Sequence, residues 1–166
     1  MTQTDTASPT ATVLPTAVVV DIDGTVATHA LPDGRFIRGH HDYRLVPWDL
    51  PNPPVIETVR ALHAAGLEIV FCSGRPVLDD NSWDVGRATY AWLIEHVGEW
   101  TARCPLFMRG QGDRRPDDIV KTEIYEAFIR GRWDVLLALD DRPRVIRAWQ
   151  ALGVPVFDVQ PGSGEF

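Results

Sequence analysis

Polar residues of types that suit phosphoryl transfer directly follow three short apolar stretches of this sequence. They are Asp21, Asp23 and Thr25 after residues 17–20, Ser73 after residues 67–72, and Asp140 with Asp141 after residues 135–139. Four carboxylates brought to one site would repel one another by several kcal/mol unless a cation lay among them. Oxygen ligands of this kind suit Mg²⁺. We therefore predict a Mg²⁺ site formed by Asp21, Asp23, Asp140 and Asp141.

The same residues could transfer a phosphoryl group in two steps, through a covalent aspartyl phosphate. Asp21 would be the nucleophile, because a carboxylate is already ionised at neutral pH and needs no base to activate it. Asp23 could protonate the leaving alcohol and later take a proton from the attacking water. Ser73 and nearby backbone amides would bind the phosphoryl oxygens.

Lys121 is the remaining candidate for this chemistry. Of the 16 basic residues, 15 are arginine and only Lys121 is lysine. That bias suggests that this position needs a compact ammonium rather than a planar guanidinium. Lys121 lies near the start of a predicted helix, where it would neutralise charge shared by Asp21 and the phosphate. We therefore predict a catalytic role for Lys121.

The elements that must position these residues alternate between strands and helices. Short aliphatic runs predict strands at residues 17–20, 67–72, 105–108, 135–139 and 154–159. Apolar residues at helical spacing predict helices over residues 55–65, 85–97, 117–129 and 143–152. This alternation is typical of an α/β fold with a doubly wound, mainly parallel five-stranded sheet. Because ligands bind beyond the carboxyl ends of such strands, the polar residues should share one rim.

The length of 166 residues predicts one domain with a short extension. Residues 1–16 are rich in Thr, Ala, Pro and Ser and predict a disordered N-terminal lead, so we assign the domain to residues 17–166. Residues 26–50 contain two prolines and two glycines but no periodic run, which predicts a loop or a small hairpin, here called the flap. The remaining intervals leave no room for a separate cap domain.

Composition excludes several classes of protein. A net charge of −7 argues against a protein that coats nucleic acid through bulk charge, although a local basic groove is compatible with it. Two cysteines, Cys72 and Cys104, are too few for a disulfide framework or a structural zinc site. No apolar run approaches the roughly 20 residues that cross a bilayer, and the start lacks the basic lead of a signal peptide. We therefore expect a cytoplasmic protein.

In their order, the motifs resemble those of the haloacid dehalogenase superfamily of phosphatases. The four matching motifs are the DxDGT sequence at residues 21–25, the strand-end Ser73, Lys121, and the acidic pair Asp140-Asp141. From about residue 17 to the end, the chain is further similar to the phosphatase half of phage-type polynucleotide kinase/phosphatases. The stretches that carry this second resemblance are Ser73-Gly74-Arg75, residues 109–121, residues 140–142, Trp149, Gly153 and residues 163–166.

This resemblance implies a Mg²⁺-dependent 3′-phosphatase that acts on DNA or RNA ends. It also implies a set of substrate- or phosphate-binding residues, which are Thr25, Arg38, Gly74, Arg75, Arg109 and Asp117. The flap arginine aligns best with Arg38, and Arg35 is the competing choice. No Gly-x-x-x-x-Gly-Lys-Ser/Thr motif of a P-loop kinase occurs. We therefore expect phosphatase activity alone, in partnership with a separate kinase or ligase.

An uncapped rim would admit the end of a long polymer, and its arginines would contact the phosphates. Few aromatic residues line the predicted groove, which favours backbone contacts over contacts with bases. Two other functions stay open at this point. One is a capless phosphatase of a small phosphorylated metabolite or nucleotide, and the other is a fold that serves only as a docking partner for a separate kinase or ligase.

Overall fold

The computed structural model describes residues 13–31 and 33–160. Most of the predicted lead (residues 1–12) and the closing motif at residues 163–166 lie outside the described residues. Strand β1 begins at Thr16, the last residue of the predicted lead, and the carbonyl of Pro15 accepts a hydrogen bond of 2.9 Å from the backbone N–H of Asp134. The chain is therefore paired with the sheet from residue 15 onward.

Within these residues, five strands form one parallel sheet in the order β5-β4-β1-β6-β7. Their bounds are β1 Thr16–Val20, β4 Glu68–Pro76, β5 Leu106–Arg109, β6 Asp134–Asp140 and β7 Val156–Asp158. The first crossovers run from β1 through β4 to β5, and the later strands are added on the other side of β1. The order therefore reverses between β1 and β6, where open α/β sheets bind ligands. The predicted doubly wound fold is confirmed.

Helices cover both faces of the sheet. They are α1 Pro53–Ala64, α2 Val85–His96, α3 Asp117–Ile124 and α4 Pro143–Ala151. Val18 and Val20 of β1 pack with α1 and α2, whereas Ala17 and Val19 pack with α3 and α4. A strand segment whose side chains are buried on both faces must be apolar, as residues 17–20 of β1 are.

Strand β4 extends further than the sequence predicted. The apolar run ends at Cys72, but the strand continues through Ser73-Gly74-Arg75 to Pro76. Its pairing with β5 shifts register between Ser73 and Pro76, so Pro76 pairs with Arg109. Pairing with β5 keeps this polar stretch extended. The hydrophobicity of the sequence alone does not reveal that the strand continues. Ser73 therefore lies within the strand rather than beyond its end.

Other elements differ from the prediction in smaller ways. Helix α3 ends at Ile124 and continues as one π-helical turn over Tyr125–Ile129. A short 3-10 helix over Glu99–Arg103 joins α2 to β5, and β7 begins at Val156, two residues later than predicted.

The flap contains a small antiparallel pair and a 3-10 helix. Strand β2, Ala27–Thr28, pairs with β3, Leu50–Pro51, and the 3-10 helix spans Tyr43–Trp48. Because β2 and β3 lie at the two ends of the flap, the flap is a long loop with a paired base rather than a small hairpin. In the described part of the chain, the segments that join β1 to β4 and β4 to α3 hold no separate cap domain. None of the helices in residues 13–31 and 33–160 is long and apolar enough to cross a membrane.

Candidate active site

Three buried carboxylates converge at the reversal of the strand order. Asp21 follows β1, Asp140 ends β6 and Asp141 comes next, and one carboxylate oxygen from each lies within 4.8 Å of the others. The backbone N–H of Asp21 donates to the carbonyl of Leu139 at 3.0 Å, which holds the two strand ends side by side. Parallel strands that end together thus bring residues distant in sequence to one point.

Lys121 projects from the second turn of α3 into this cluster and is 2 % exposed. Its Nζ lies 2.8 Å from Oδ1 of Asp21 and 2.8 Å from Oδ2 of Asp140. Burial opposes the charge on Lys121, but the attraction of Asp140 and Asp21 outweighs it and raises the pKa of the ammonium. Lys121 therefore stays protonated between the two carboxylates.

The electrostatics of the cluster favour an added cation. Burial raises the pKa of Asp21 well above its usual value, against the opposing effect of Lys121. Burial and the charge of Asp140 raise the pKa of Asp141 to about 6. One ammonium among three carboxylates leaves two negative charges uncompensated within the cluster. A divalent cation would neutralise them.

Gly24 and Thr25 shape the side of the cluster next to β1. Gly24 has a φ of +81°, and a Cβ there would overlap the Asp141 carboxylate, so the close approach requires glycine. The Thr25 hydroxyl donates to Oδ1 of Asp141 at 3.2 Å. Thr25, which the resemblance assigned to phosphate binding, thus holds a carboxylate of the cluster.

Asp23 lies outside the three-carboxylate cluster and faces two arginines. Arg75 donates to its two oxygens at 2.8 Å and 2.6 Å, and Arg38 donates to Oδ1 at 2.8 Å. Although burial opposes it, the attraction of Arg75 and Arg38 lowers the pKa of Asp23. The carboxylate of Asp23 is therefore ionised and separated from the other three by its own ion pairs.

Asp49 completes this second network, and the sequence analysis missed it. Its carboxylate accepts from Arg38 at 2.7 Å and 2.9 Å and from Arg75 at 2.8 Å, and it is fully buried. The indole N–H of Trp92 in α2 donates to the backbone carbonyl of Asp49 at 2.8 Å. The sequence does contain one signal for a role of Asp49, because this aspartate lies within the otherwise apolar stretch Val46-Pro47-Trp48-Asp49-Leu50.

The remaining predicted binding residues form a third group beside β5. Arg109 is paired with Asp117, and its Nε donates to the carbonyl of Gly74 at 2.6 Å. Arg142, which the sequence analysis did not assign to binding, also pairs with Asp117. A Cβ on Gly74 would lie 2.7 Å from an oxygen of Asp117, so this approach also needs glycine.

Ser73 and the two candidate flap arginines have different positions. Ser73 is fully buried and its Oγ accepts from the backbone N–H of Arg75 at 3.2 Å, so the hydroxyl does not line the cavity. Arg38 is 3 % exposed and bonded to Asp23, whereas Arg35 is exposed and pairs with Asp33. Of the two arginines, the structure brings Arg38 to the site.

A cavity of about 860 Å³ joins the three groups. Asp21, Lys121 and Asp141 lie on its wall together with Asp23, Arg75 and Arg109. Residues of the flap and of the segments after β4 and β5 form much of the remaining lining. This volume is large enough to hold more than a phosphate group.

A model of the family described as the polynucleotide kinase PNKP phosphatase domain matches residues 15–166. The chain belongs to this family. The match confirms the resemblance drawn from the motifs, and it makes the chain a phosphatase domain of the haloacid dehalogenase class.

Individual relatives agree with this assignment. A candidate bifunctional polynucleotide kinase/RNA ligase of Autographa californica nuclear polyhedrosis virus is 35 % identical over 148 residues, which are 87 % of this chain and 19 % of the viral protein. Two solved structures of Pnkp1/Rnl/Hen1 complexes, one titled an RNA repair complex, match with TM-scores of 0.74 and 0.77 at 29 % and 30 % identity. Each match covers 91 % of this chain, and the matched parts make up 44 % and 47 % of the respective chains in the complexes.

This chain therefore spans about a fifth of the viral relative and less than half of the chains in the two complexes. A D,D-heptose 1,7-bisphosphate phosphatase from B. bronchiseptica shares the fold with a TM-score of 0.55 at 16 % identity, covering 86 % of this chain and 79 % of its own.

Proposed function

We propose that this chain is a Mg²⁺-dependent phosphatase that removes a 3′-phosphate from the end of DNA or RNA through an aspartyl phosphate on Asp21. The observation that carries the proposal is a buried carboxylate held 2.8 Å from a buried ammonium, at the carboxyl end of a central parallel strand. Membership of a polynucleotide phosphatase family supports the class of substrate.

The carboxylate cluster has the donor set that Mg²⁺ prefers. Asp21, Asp140 and Asp141 would hold the ion, since all three offer oxygen atoms and their charges exceed that of Lys121. The hydrogen bond from Thr25 and the close approach of Gly24 keep Asp141 oriented toward the cluster. When bound, the ion would supply positive charge to the phosphoryl oxygens.

In the first half-reaction, a carboxylate oxygen of Asp21 forms a bond to phosphorus while the bond from phosphorus to the 3′ oxygen breaks. Lys121 keeps Asp21 oriented and offsets the negative charge that builds on the phosphoryl group. The leaving oxygen takes a proton from Asp23. The positive charges of Arg38 and Arg75 stabilise the ionised form of Asp23. A phosphate dianion close to these arginines offsets their charge and so favours the protonated form of Asp23.

In the second half-reaction, water attacks phosphorus and the bond to Asp21 breaks, which regenerates its carboxylate. Asp23 accepts the proton that the water loses, and its ionised state in this structure suits that role. Arg109 and Arg142, which flank Asp117 on the cavity wall, offset the charge of the phosphate as it leaves.

The proposal about partner proteins rests on the relatives rather than on this chain alone. Proteins similar to it combine a polynucleotide kinase with an RNA ligase or are found in a Pnkp1/Rnl/Hen1 complex. We infer that this phosphatase also acts beside a kinase and a ligase, so that the 3′-hydroxyl end it leaves is used in joining. We also propose a cytoplasmic site of action, as the sequence analysis expected.

The test measures phosphate release from a 3′-phosphorylated oligonucleotide and from a 3′-mononucleotide, with Mg²⁺ and with excess chelator. We expect the oligonucleotide to be preferred, release to require Mg²⁺, and Asp21→Asn to lose nearly all turnover because a neutral amide is a poor nucleophile. Asp134→Asn is the matched control, because Asp134 is an exposed carboxylate at the start of β6, at the opposite end of that strand.

Trapping with labelled substrate should place the phosphoryl group on Asp21. An Asp21→Asn variant that kept more than a few per cent of activity would contradict the covalent mechanism. Equal efficiency on the oligonucleotide and the mononucleotide would instead favour a phosphatase of small molecules.

A further inference from the structure

Three aromatic rings of the flap gather on the wall of the cavity. The ring centroids of His29 and Phe36 lie 5.6 Å apart, those of His29 and His40 lie 4.8 Å apart, and those of Phe36 and His40 lie 6.2 Å apart. All three residues line the same cavity as Asp21. We call them the flap aromatic cluster.

The flap aromatic cluster contains features that its own packing does not explain. Phe36 is 63 % exposed, although it stands beside two other rings. Nδ1 of His29 is buried and has no hydrogen-bond partner among the described residues. An unsatisfied buried polar atom is uncommon unless a ligand pairs with it, and an exposed ring on a cavity wall beside two other rings offers an apolar surface to the same ligand. Each observation therefore points to a molecule that enters the cavity.

The position of the cluster identifies the part of the substrate that it would meet. Asp23 is close enough to His29 for their charges to interact, and Arg38 of the same flap donates to Asp23. On the proposed mechanism Asp23 protonates the leaving 3′ oxygen, so the leaving nucleoside lies on the Asp23 side of the phosphate. The flap is on that side, and the base of the terminal nucleotide is one sugar ring away from the 3′ oxygen.

We propose that the flap aromatic cluster binds the base of the 3′-terminal nucleotide, with Phe36 as the stacking surface. This inference rests on the proposed function and adds a base contact, which the few aromatic residues expected in the groove had argued against. Stacking accepts any base, because every base has a π face, so the site favours nucleotides over abasic ends without reading sequence. His40 extends the surface, and Nδ1 of His29 is placed to accept or donate a hydrogen bond to the ligand.

The test compares two oligonucleotides that differ only at the 3′ end. Both carry a 3′-phosphate, but in one the terminal sugar bears a base and in the other it is abasic. We expect Phe36→Ala to lower kcat/KM by roughly tenfold on the first substrate and by less than twofold on the second, because stacking on one ring contributes on that scale. Phe36→Trp should keep the preference, since it retains a flat ring.

Trp48→Ala is the matched control, because Trp48 is a similarly exposed aromatic residue (62 %) of the same flap that does not line the cavity. It should leave both substrates unchanged. Equal losses in Phe36→Ala on both oligonucleotides, or equal wild-type kcat/KM on both, would overturn the base-binding inference and leave the proposed function intact. Wild-type protein that hydrolyses an aryl phosphate but neither oligonucleotide would overturn both.

Discussion

At the scale of single residues, the charge balance of the site depends on Lys121. A buried ammonium is costly unless carboxylates surround it, and Asp21 and Asp140 provide that surrounding at 2.8 Å each. Arginine would bring a larger, planar group that cannot occupy the same point between the two carboxylates. The retention of one lysine in a chain whose other basic residues are all arginine agrees with this geometry.

We expect Lys121→Arg to lower kcat by roughly 10²-fold or more, in line with the loss of one preorganised electrostatic contact. Steady-state rates on an aryl phosphate would measure it, since that substrate needs no nucleic-acid contacts. Arg144→Lys, an exchange between the same two residue types at a half-buried position of α4, should change kcat by less than twofold. A Lys121→Arg enzyme with near-normal kcat would show that charge alone matters at this position.

At the scale of elements, Asp49 ties the flap to the body of the domain. Its side chain holds Arg38 of the flap and Arg75 of β4, and its backbone carbonyl accepts from Trp92 of α2. Asp49, Arg38, Arg75 and the partly exposed Asp23 thus form one ion-pair network, which joins the flap, β4 and the segment after β1. Asp49 does not line the cavity, so it acts through the arginines that hold Asp23.

Asp49→Asn should destabilise the fold by about 3 kcal/mol, because the two buried guanidiniums of Arg38 and Arg75 then share the single negative charge of Asp23. It should also lower kcat on an aryl phosphate by roughly tenfold with little change in KM, since Asp23 loses its orientation. Chemical denaturation and steady-state kinetics measure the two effects. Asp84→Asn, which alters the N-cap of α2, should cost about 1 kcal/mol or less and leave kcat unchanged.

At the scale of the whole molecule, the proposed function requires an acidic chain to bind a polyanion, for which a local set of arginines would be needed. The net charge is −7, yet Arg114 and Arg115 stand on the cavity rim with side chains that are 82 % and 50 % exposed. Arg114 pairs with Asp80, and Arg115 pairs with Asp113 and Glu123, but both guanidiniums remain exposed in these ion pairs. Arg38 and Arg109, by contrast, are buried in their ion pairs. Exposed rim arginines are therefore better placed than the buried ones to contact phosphates away from the reacting end.

We expect Arg114→Ala to weaken binding of a 3′-phosphorylated oligonucleotide and to reduce the slope of log K against log salt by about 0.7 to 0.9, the value for one lost phosphate contact. Binding titrations at several salt concentrations would measure the slope. Arg87→Ala, an exposed arginine of α2 that does not line the cavity, should leave it unchanged. An unchanged slope in Arg114→Ala would place the polymer on another part of the rim.

Metal binding should also change the stability of the whole domain. Mg²⁺ at about one hundred times its dissociation constant would stabilise the folded state by about 2.7 kcal/mol, which raises Tm by several degrees for a domain of this size. Asp141→Asn should abolish most of that rise, whereas Asp134→Asn should retain it. Thermal melts with Mg²⁺ and with chelator provide this measurement without any dependence on turnover. A full Mg²⁺-induced rise in Asp141→Asn would exclude Asp141 from the metal site.

The convergence of the strand-end carboxylates could be predicted from the amino-acid sequence by itself. Asp21, Asp140 and Asp141 each follow an apolar run, and parallel strands deliver such residues to one rim whatever the details of packing. Lys121 could be predicted from its type and from its place on a helix that starts at the same rim. The positions of these residues could be predicted because they depend on local periodicity and on the topology that it implies, whereas their catalytic roles stay predictions.

Only the tertiary structure decided which partners the other charged groups take. Asp23 lies apart from the carboxylate of Asp21 because it forms hydrogen bonds with Arg75 and Arg38, which are distant from it in sequence. Asp49 accepts from the same two arginines and so belongs to the same network. Strand β4 continues through polar residues because β5 pairs with it, and three flap rings meet although no periodicity links them. Contacts of this kind depend on side-chain directions and on loop paths, which packing between distant segments determines and local sequence patterns do not encode.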